Sequence, residues 1–267
     1  MKKKNIITIS IFLLLSSVFV NANEPVLEWG DGFPVEIYAC NYREGSSPER
    51  DTKAFVKDWG EWAQQNGFKK YVAALMSQLS SDGRYPTQFQ WIGYWDNYAS
   101  GGADMQARLE NGEEMLKKAA QFLNNCHHTE FGAWTPRPIV GDWVTQRHIS
   151  EWQNCKYLEG KDDADLLKAN ATYAAHLDSI GDETAIVQLW PRAGGPVFLE
   201  REGQGATTPW DFKWIQVYPS LKEYAAFTHK MWNEGLGAKN WEIYGDVMIC
   251  DSSRVYDEHV VYTPSKK

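Results

Sequence analysis

Six residues of this 267-residue chain could together do binding chemistry: Tyr42, Trp91, Tyr157, Trp190 and Trp214, with Arg192 beside them. Large flat rings hold a flat or aromatic ligand by stacking, and their O–H and N–H groups still need partners. A guanidinium holds a carboxylate by two parallel hydrogen bonds, so Arg192 suits the mouth of such a pocket. The other reading is that the rings only fill a core. Nothing nearby adds a familiar reaction centre. The histidines (127, 128, 148, 176, 229 and 259) are scattered, with no His-Glu-x-x-His stretch. There is no Gly-x-Gly-x-x-Gly turn, P-loop or Gly-x-Ser-x-Gly elbow. His128 shares parity with Cys126, but no metal and no cofactor is expected.

The elements that must position these residues occur twice. Cys40 aligns with Cys155, Gly67 with Gly181, Phe89-Gln-Trp91-Ile92 with Phe212-Lys-Trp214-Ile215, and Cys126 with Cys250. The shifts are 115, 114, 123 and 124 residues, in unbroken order. Each copy reads strand, helix, strand, strand, helix, strand. Phe55, Trp59 and Trp62 mark one face of the first helix, which Asn66-Gly67 stops. "YVAALMSQL" and "FQWIGYW" read as the next two strands, against "TAIVQLW" and "FKWIQVY". Two prolines in Gly132–Trp143 mark a linker. The units are therefore 34–132 and 147–260, joined by 133–146.

Copy two is longer between its middle strands. Trp190 to Trp214 spans 24 residues against 15 from Met76 to Trp91. The extra residues, in Pro191–Pro209, would form a lid or a plain surface loop.

Strand alternation separates two faces. Ile92/Tyr94 and Ile215/Val217 lie on one. Trp91/Trp95 and Trp214/Tyr218 lie on the other, with Gly93 and Gln216. The aliphatic face is expected under the helices and the ring-rich face between the two copies.

Residues 1–22 read as a secretory signal: three lysines, an apolar run and small residues near Ala22. The expected location is periplasmic or secreted, with no membrane insertion after cleavage. Those lysines are the only charges in the leader, so its loss takes the net charge from −8 to −11. Such a chain repels nucleic acid, and a small molecule is the expected partner. Four cysteines in an oxidising compartment suggest disulfides, and spacing leaves all three pairings open.

A β-α-β-β-α-β order is the ferredoxin-like arrangement. Two such units face to face resemble the dimeric α/β-barrel proteins, here fused in one α+β chain as a monomer with an internal pseudo-dimer. The resemblance implies that first and last strands are neighbours, hence Cys40–Cys126 and Cys155–Cys250. That superfamily includes cofactor-independent oxygenases, haem-handling enzymes, isomerases and proteins without known activity. The functions to separate are a small-molecule-binding protein, a cofactor-independent oxygenase or isomerase, and a structural module with a filled core.

Overall fold

A computed structural model describes residues 30–81, 87–139, 146–193 and 210–264. In the first half, β1 (Phe33–Tyr42), α1 (Pro48–Gln65), β2 (Val72–Ser80) and β3 (Phe89–Tyr94) are followed by α2 (Tyr98–Asn111), α3 (Glu113–Phe122) and β4 (Leu123–Arg137). The second half runs β5 (Arg147–Tyr157), α4 (Asp163–Ser179), β6 (Ala185–Ala193), β7 (Phe212–Tyr218), α5 (Leu221–Asn233), α6 (Leu236–Tyr244), β8 (Met248–Cys250) and β9 (Arg254–Tyr262).

Local chemistry explains the helix boundaries. Pro48 opens α1, with Glu49 and Asp51 in the first turn, where carboxylates suit the helix dipole. Gly67 follows at φ 80°. Asp162 and Asp165 form a reciprocal capping box at α4. The side chains of Asn97 and Ser220 accept from backbone N–H groups at the starts of α2 and α5. Where one second helix per copy was expected there are two, broken at Gly112 and at Gly235, the latter at φ 85°.

The strands run β7-β6-β4-β1-β3-β2-β9-β5, and β5 pairs again with β7. This closes an eight-stranded antiparallel barrel, with β8 attached outside it on β5. The halves meet where β4 pairs with β6 and β2 with β9. β4 continues through Ala133–Arg137, residues read from the sequence as linker. Cys250 ends a three-residue strand, and β9 supplies the last barrel strand. The disulfides are Cys40–Cys126, joining β1 to β4, and Cys155–Cys250, joining β5 to β8.

The two faces are the reverse of the expectation. Ile92, Ile215, Val217 and Leu189 pack inside the barrel with Ala74, Phe131 and Trp152. Trp91 and Trp95 lie under the helices of the first half, with Trp59, Trp62 and Phe68. Trp214 and Tyr218 lie under those of the second, with Tyr173, Phe227 and Tyr244. An eight-stranded barrel is only wide enough for side chains to fill. Branched aliphatic groups fill much of that space beside a few rings such as Phe131 and Trp152, and the ring-rich strand faces lie in the helix–sheet layers.

Candidate functional site

β1 turns Glu36, Tyr38 and Cys40 toward the helices. Glu36 is 1% exposed, and a carboxylate so buried must be paired. The Tyr71 hydroxyl donates to its Oε1 at 2.7 Å and accepts from Trp91 Nε1 at 2.7 Å. Arg108 Nη1, from α2, lies 2.9 Å from both carboxylate oxygens. His128 Nε2, from β4, stands 3.0 Å from Oε2. The His128 ring stacks on Tyr38 at 4.2 Å with planes 14° apart, and Arg108 lies 5.7 Å from the Tyr38 ring centre.

Burial pushes the Glu36 carboxyl up, but His128, Arg108 and Tyr71 together outweigh it and hold it below the usual carboxylate range. Glu36 is therefore ionised and accepts only, so the His128 proton sits on Nε2. Burial and the Glu36 charge push Tyr71 and Tyr38 well up, keeping both hydroxyls protonated. Burial opposes the Arg108 charge, but Glu36 outweighs it and the guanidinium stays charged.

This cluster closes one end of a cavity of about 370 Å³ between the first-half sheet and its helices. Phe55 and Trp59 of α1, Met115 and Ala119 of α3, and Phe89 and Trp91 of β3 form its walls. Leu116, also lining it, is 62% exposed and marks the open side. The Cys40–Cys126 disulfide and Asn124 also line it, and the buried Asn124 Oδ1 has no hydrogen-bond partner among the described residues. The volume falls within the range of small-molecule sites, apolar with a few convergent polar groups.

The sequence-derived site is not brought together. Trp91 lines this cavity. Trp214 lines the corresponding cavity of the second half, against Tyr244 at 4.8 Å. The Tyr42 hydroxyl pairs with Thr52 at 2.9 Å. Tyr157 donates to Asp163 and packs on Phe212. Trp190 stacks on Phe212 at 5.3 Å and meets Trp134 edge-on. Arg192 lies 5.0 Å from the Tyr98 ring centre. The proposed lid falls mostly in residues 194–209, outside the described residues. Inside the barrel the cavity measures about 110 Å³, lined by Tyr94, His148, Trp152 and Glu258 among mostly aliphatic groups.

Glu36, Tyr38, Tyr71 and Arg108 escaped the sequence reading. The parity of Glu36 with Tyr38 and Cys40 was the available signal, since it placed a carboxylate on the ring-bearing face.

Comparison with solved structures finds the same fold. A candidate monooxygenase from Fusobacterium nucleatum is similar at TM-score 0.53 and 9% identity, covering 89% of this chain and 96% of that one. Another from Lactobacillus acidophilus is similar at TM-score 0.48 and 10% identity, covering 87% and 95%. A heme-binding protein from Thermus thermophilus is similar at TM-score 0.45 and 10% identity, covering 85% and 91%. These neighbours are dimeric α/β-barrel proteins, and the likeness is one of fold. No protein-family model and no curated protein matches the chain.

The cavity's donor set does not fit haem. Iron takes an imidazole, thiolate, thioether or phenolate. The lining offers no imidazole, its cysteines are disulfide-bonded and its tyrosines are held protonated, which leaves the Met115 thioether alone.

Proposed function

We propose that the protein is an oxygenase-type enzyme acting on a flat, largely apolar molecule with an ionisable oxygen. One observation carries the reading: an apolar cavity of about 370 Å³ ends on the buried Glu36–Arg108–His128 cluster. The fold likeness to a candidate monooxygenase supports it.

In this reading Glu36 positions its neighbours. It fixes Arg108, while His128, which does not line the cavity, braces Glu36. The proton of the acidic substrate carbon passes to water at the open side of the cavity, marked by Leu116. Arg108 then stabilises the oxyanion that forms as substrate carbon loses its proton. Such an electron-rich carbanion reacts with dioxygen. A ring CH₂ becomes C=O, one oxygen atom entering the product and the other leaving as water. Tyr38, protonated and without a hydrogen bond among the described residues, supplies a proton to the departing oxygen.

Residues 34–132 and 147–260 are repeats of one ferredoxin-like unit, forming an internal pseudo-dimer in a monomeric chain. The strand orders β4-β1-β3-β2 and β6-β7-β5-β9, and a disulfide in each half, support this. Export to the periplasm or outside, after cleavage near Ala22, is supported by the two disulfides.

An oxygen electrode tests the activity. Anthrone, a fused ring ketone with an acidic CH₂, should drive oxygen uptake, and Arg108→Leu should slow it about 100-fold. Binding without oxygen uptake would leave a small-molecule-binding protein. Neither binding nor uptake across fused phenols and ketones would refute the site.

A further inference from the structure

The second half carries a cavity in the corresponding place, and its chemistry differs. It measures about 390 Å³ between β5, β7 and the pair α5 and α6. Glu151 faces Gln216 across β5 and β7 as Glu36 faces Gly93 across β1 and β3. Here no arginine, lysine or histidine lines the space among the described residues. Among the described residues Glu151 accepts only from the Tyr218 hydroxyl, at 3.0 Å on Oε2. Gln216 is 8% exposed, and its Nε2 has no hydrogen-bond partner among the described residues. Burying an amide N–H unpaired is costly, so a ligand that accepts from it recovers that cost. Thr228 and Asn240 add further neutral polar groups. On the rim, Trp232 is 83% exposed and Trp241 71% exposed.

We propose that this second cavity is a carbohydrate-binding site. Its ligand is a neutral sugar residue of an oligosaccharide, and the site works whether or not the first cavity is catalytic. A cavity without cations does not suit an anionic ligand. A carboxylate that only accepts, beside an amide that donates and accepts, matches neighbouring hydroxyls, each of which can do both. The apolar C–H face of a sugar ring packs on an indole, whose N–H stays wet. This accounts for two tryptophans held in water beside a polar floor. A lipid surface would use the tryptophans but leave the Gln216 amide unsatisfied. The net charge of −8 also opposes anionic bilayers.

The test is a glycan array of neutral and acidic oligosaccharides, followed by calorimetry with the tightest neutral binder. The full-length protein is expected to select neutral glycans. Gln216→Leu should weaken binding about tenfold or more. Trp232→Ala removes an almost fully exposed ring, so it leaves the fold intact and should weaken binding without lowering thermal stability. Arg108→Leu, in the other half, should leave glycan affinity unchanged. An array with no neutral glycan bound would overturn the proposal, as would affinity unmoved by Gln216→Leu, Trp232→Ala and Trp241→Ala. Co-sedimentation with phosphatidylethanolamine–phosphatidylglycerol vesicles that Trp232→Ala abolishes, with no glycan bound, would assign the rim to lipid instead.

Discussion

Glu36 and Gly93 stand opposite each other on β1 and β3, and the Tyr71 ring fills the space a Gly93 side chain would need. A Cβ at Gly93 would lie 2.0 Å from the Tyr71 hydroxyl oxygen. That hydroxyl is the bridge between Trp91 and Glu36. Gly93→Ala should therefore expel it and destabilise the protein by about 1–3 kcal/mol. Urea unfolding measures this, and an unchanged midpoint would refute the tight fit.

The two related carboxylates should differ in cost. Glu36→Ala strands Arg108, 18% exposed, in a largely apolar layer, and removing one partner of a buried pair costs about 3–5 kcal/mol. Glu151→Ala strands only the neutral hydroxyl of the buried Tyr218, at a cost of about 1–3 kcal/mol. Glu36→Leu combined with Arg108→Leu should recover part of the loss. Equal costs for Glu36→Ala and Glu151→Ala in urea would contradict the ion-pair account.

Acid should weaken the first-half layer. The Glu36 carboxyl is held below its ordinary value of 4.5. Between that value and the lower folded one, the unfolded chain binds more protons, so stability rises with pH. The Glu36 contribution is complete above about 4.5 and is lost as pH falls through the folded value. The difference in unfolding free energy between the native protein and the Glu36→Leu/Arg108→Leu variant, followed over acid pH, should shrink as pH falls. A difference that stays constant down to the lowest folded pH would contradict this.

Lys213 should titrate far below other lysines. It packs 4.4 Å from the Trp210 ring centre, donates to Asn154 Oδ1 at 2.8 Å and stands near Arg254. Burial and the Arg254 charge lower it to about 7, against the pull of Asp251. Above that pH the folded protein carries neutral Lys213, while the unfolded chain stays protonated up to about 10.4. Stability from this residue thus rises over that window. Reductive ¹³C-methylation followed by NMR titration should show one lysine with a midpoint near 7, absent in Lys213→Met. A midpoint with the surface lysines would refute it.

Much of the order of elements could be read from the chain, because cysteines, glycines and the Phe-x-Trp-Ile strands recur in register, but the second helix of each half is broken in two and a strand beyond Cys250 closes the barrel. The disulfide pairing followed from the resemblance, which sets the first strand beside the last, and not from spacing. Parity also separated the two faces of each strand. It could not say which face was inside the barrel, since that depends on barrel closure, set by the β4–β6 and β2–β9 pairings. The site was less legible. Glu36 announces its face by parity with Cys40, but Arg108 lies 72 residues away and His128 lies 92 away. Nothing local distinguishes Arg108 from an exposed helix arginine. Gly93, read as one small residue among rings, becomes informative only once Tyr71 is seen to occupy its space.

The central claim is that a flat, ionisable molecule sits in the first-half cavity with its oxygen at Arg108. Anomalous diffraction from crystals soaked in a bromonaphthol locates such a molecule directly. The account predicts a bromine peak between Phe55, Trp91 and Met115, with the naphthol oxygen in hydrogen-bond reach of Arg108. A peak only in the second-half cavity or inside the barrel, or none at all, would contradict it.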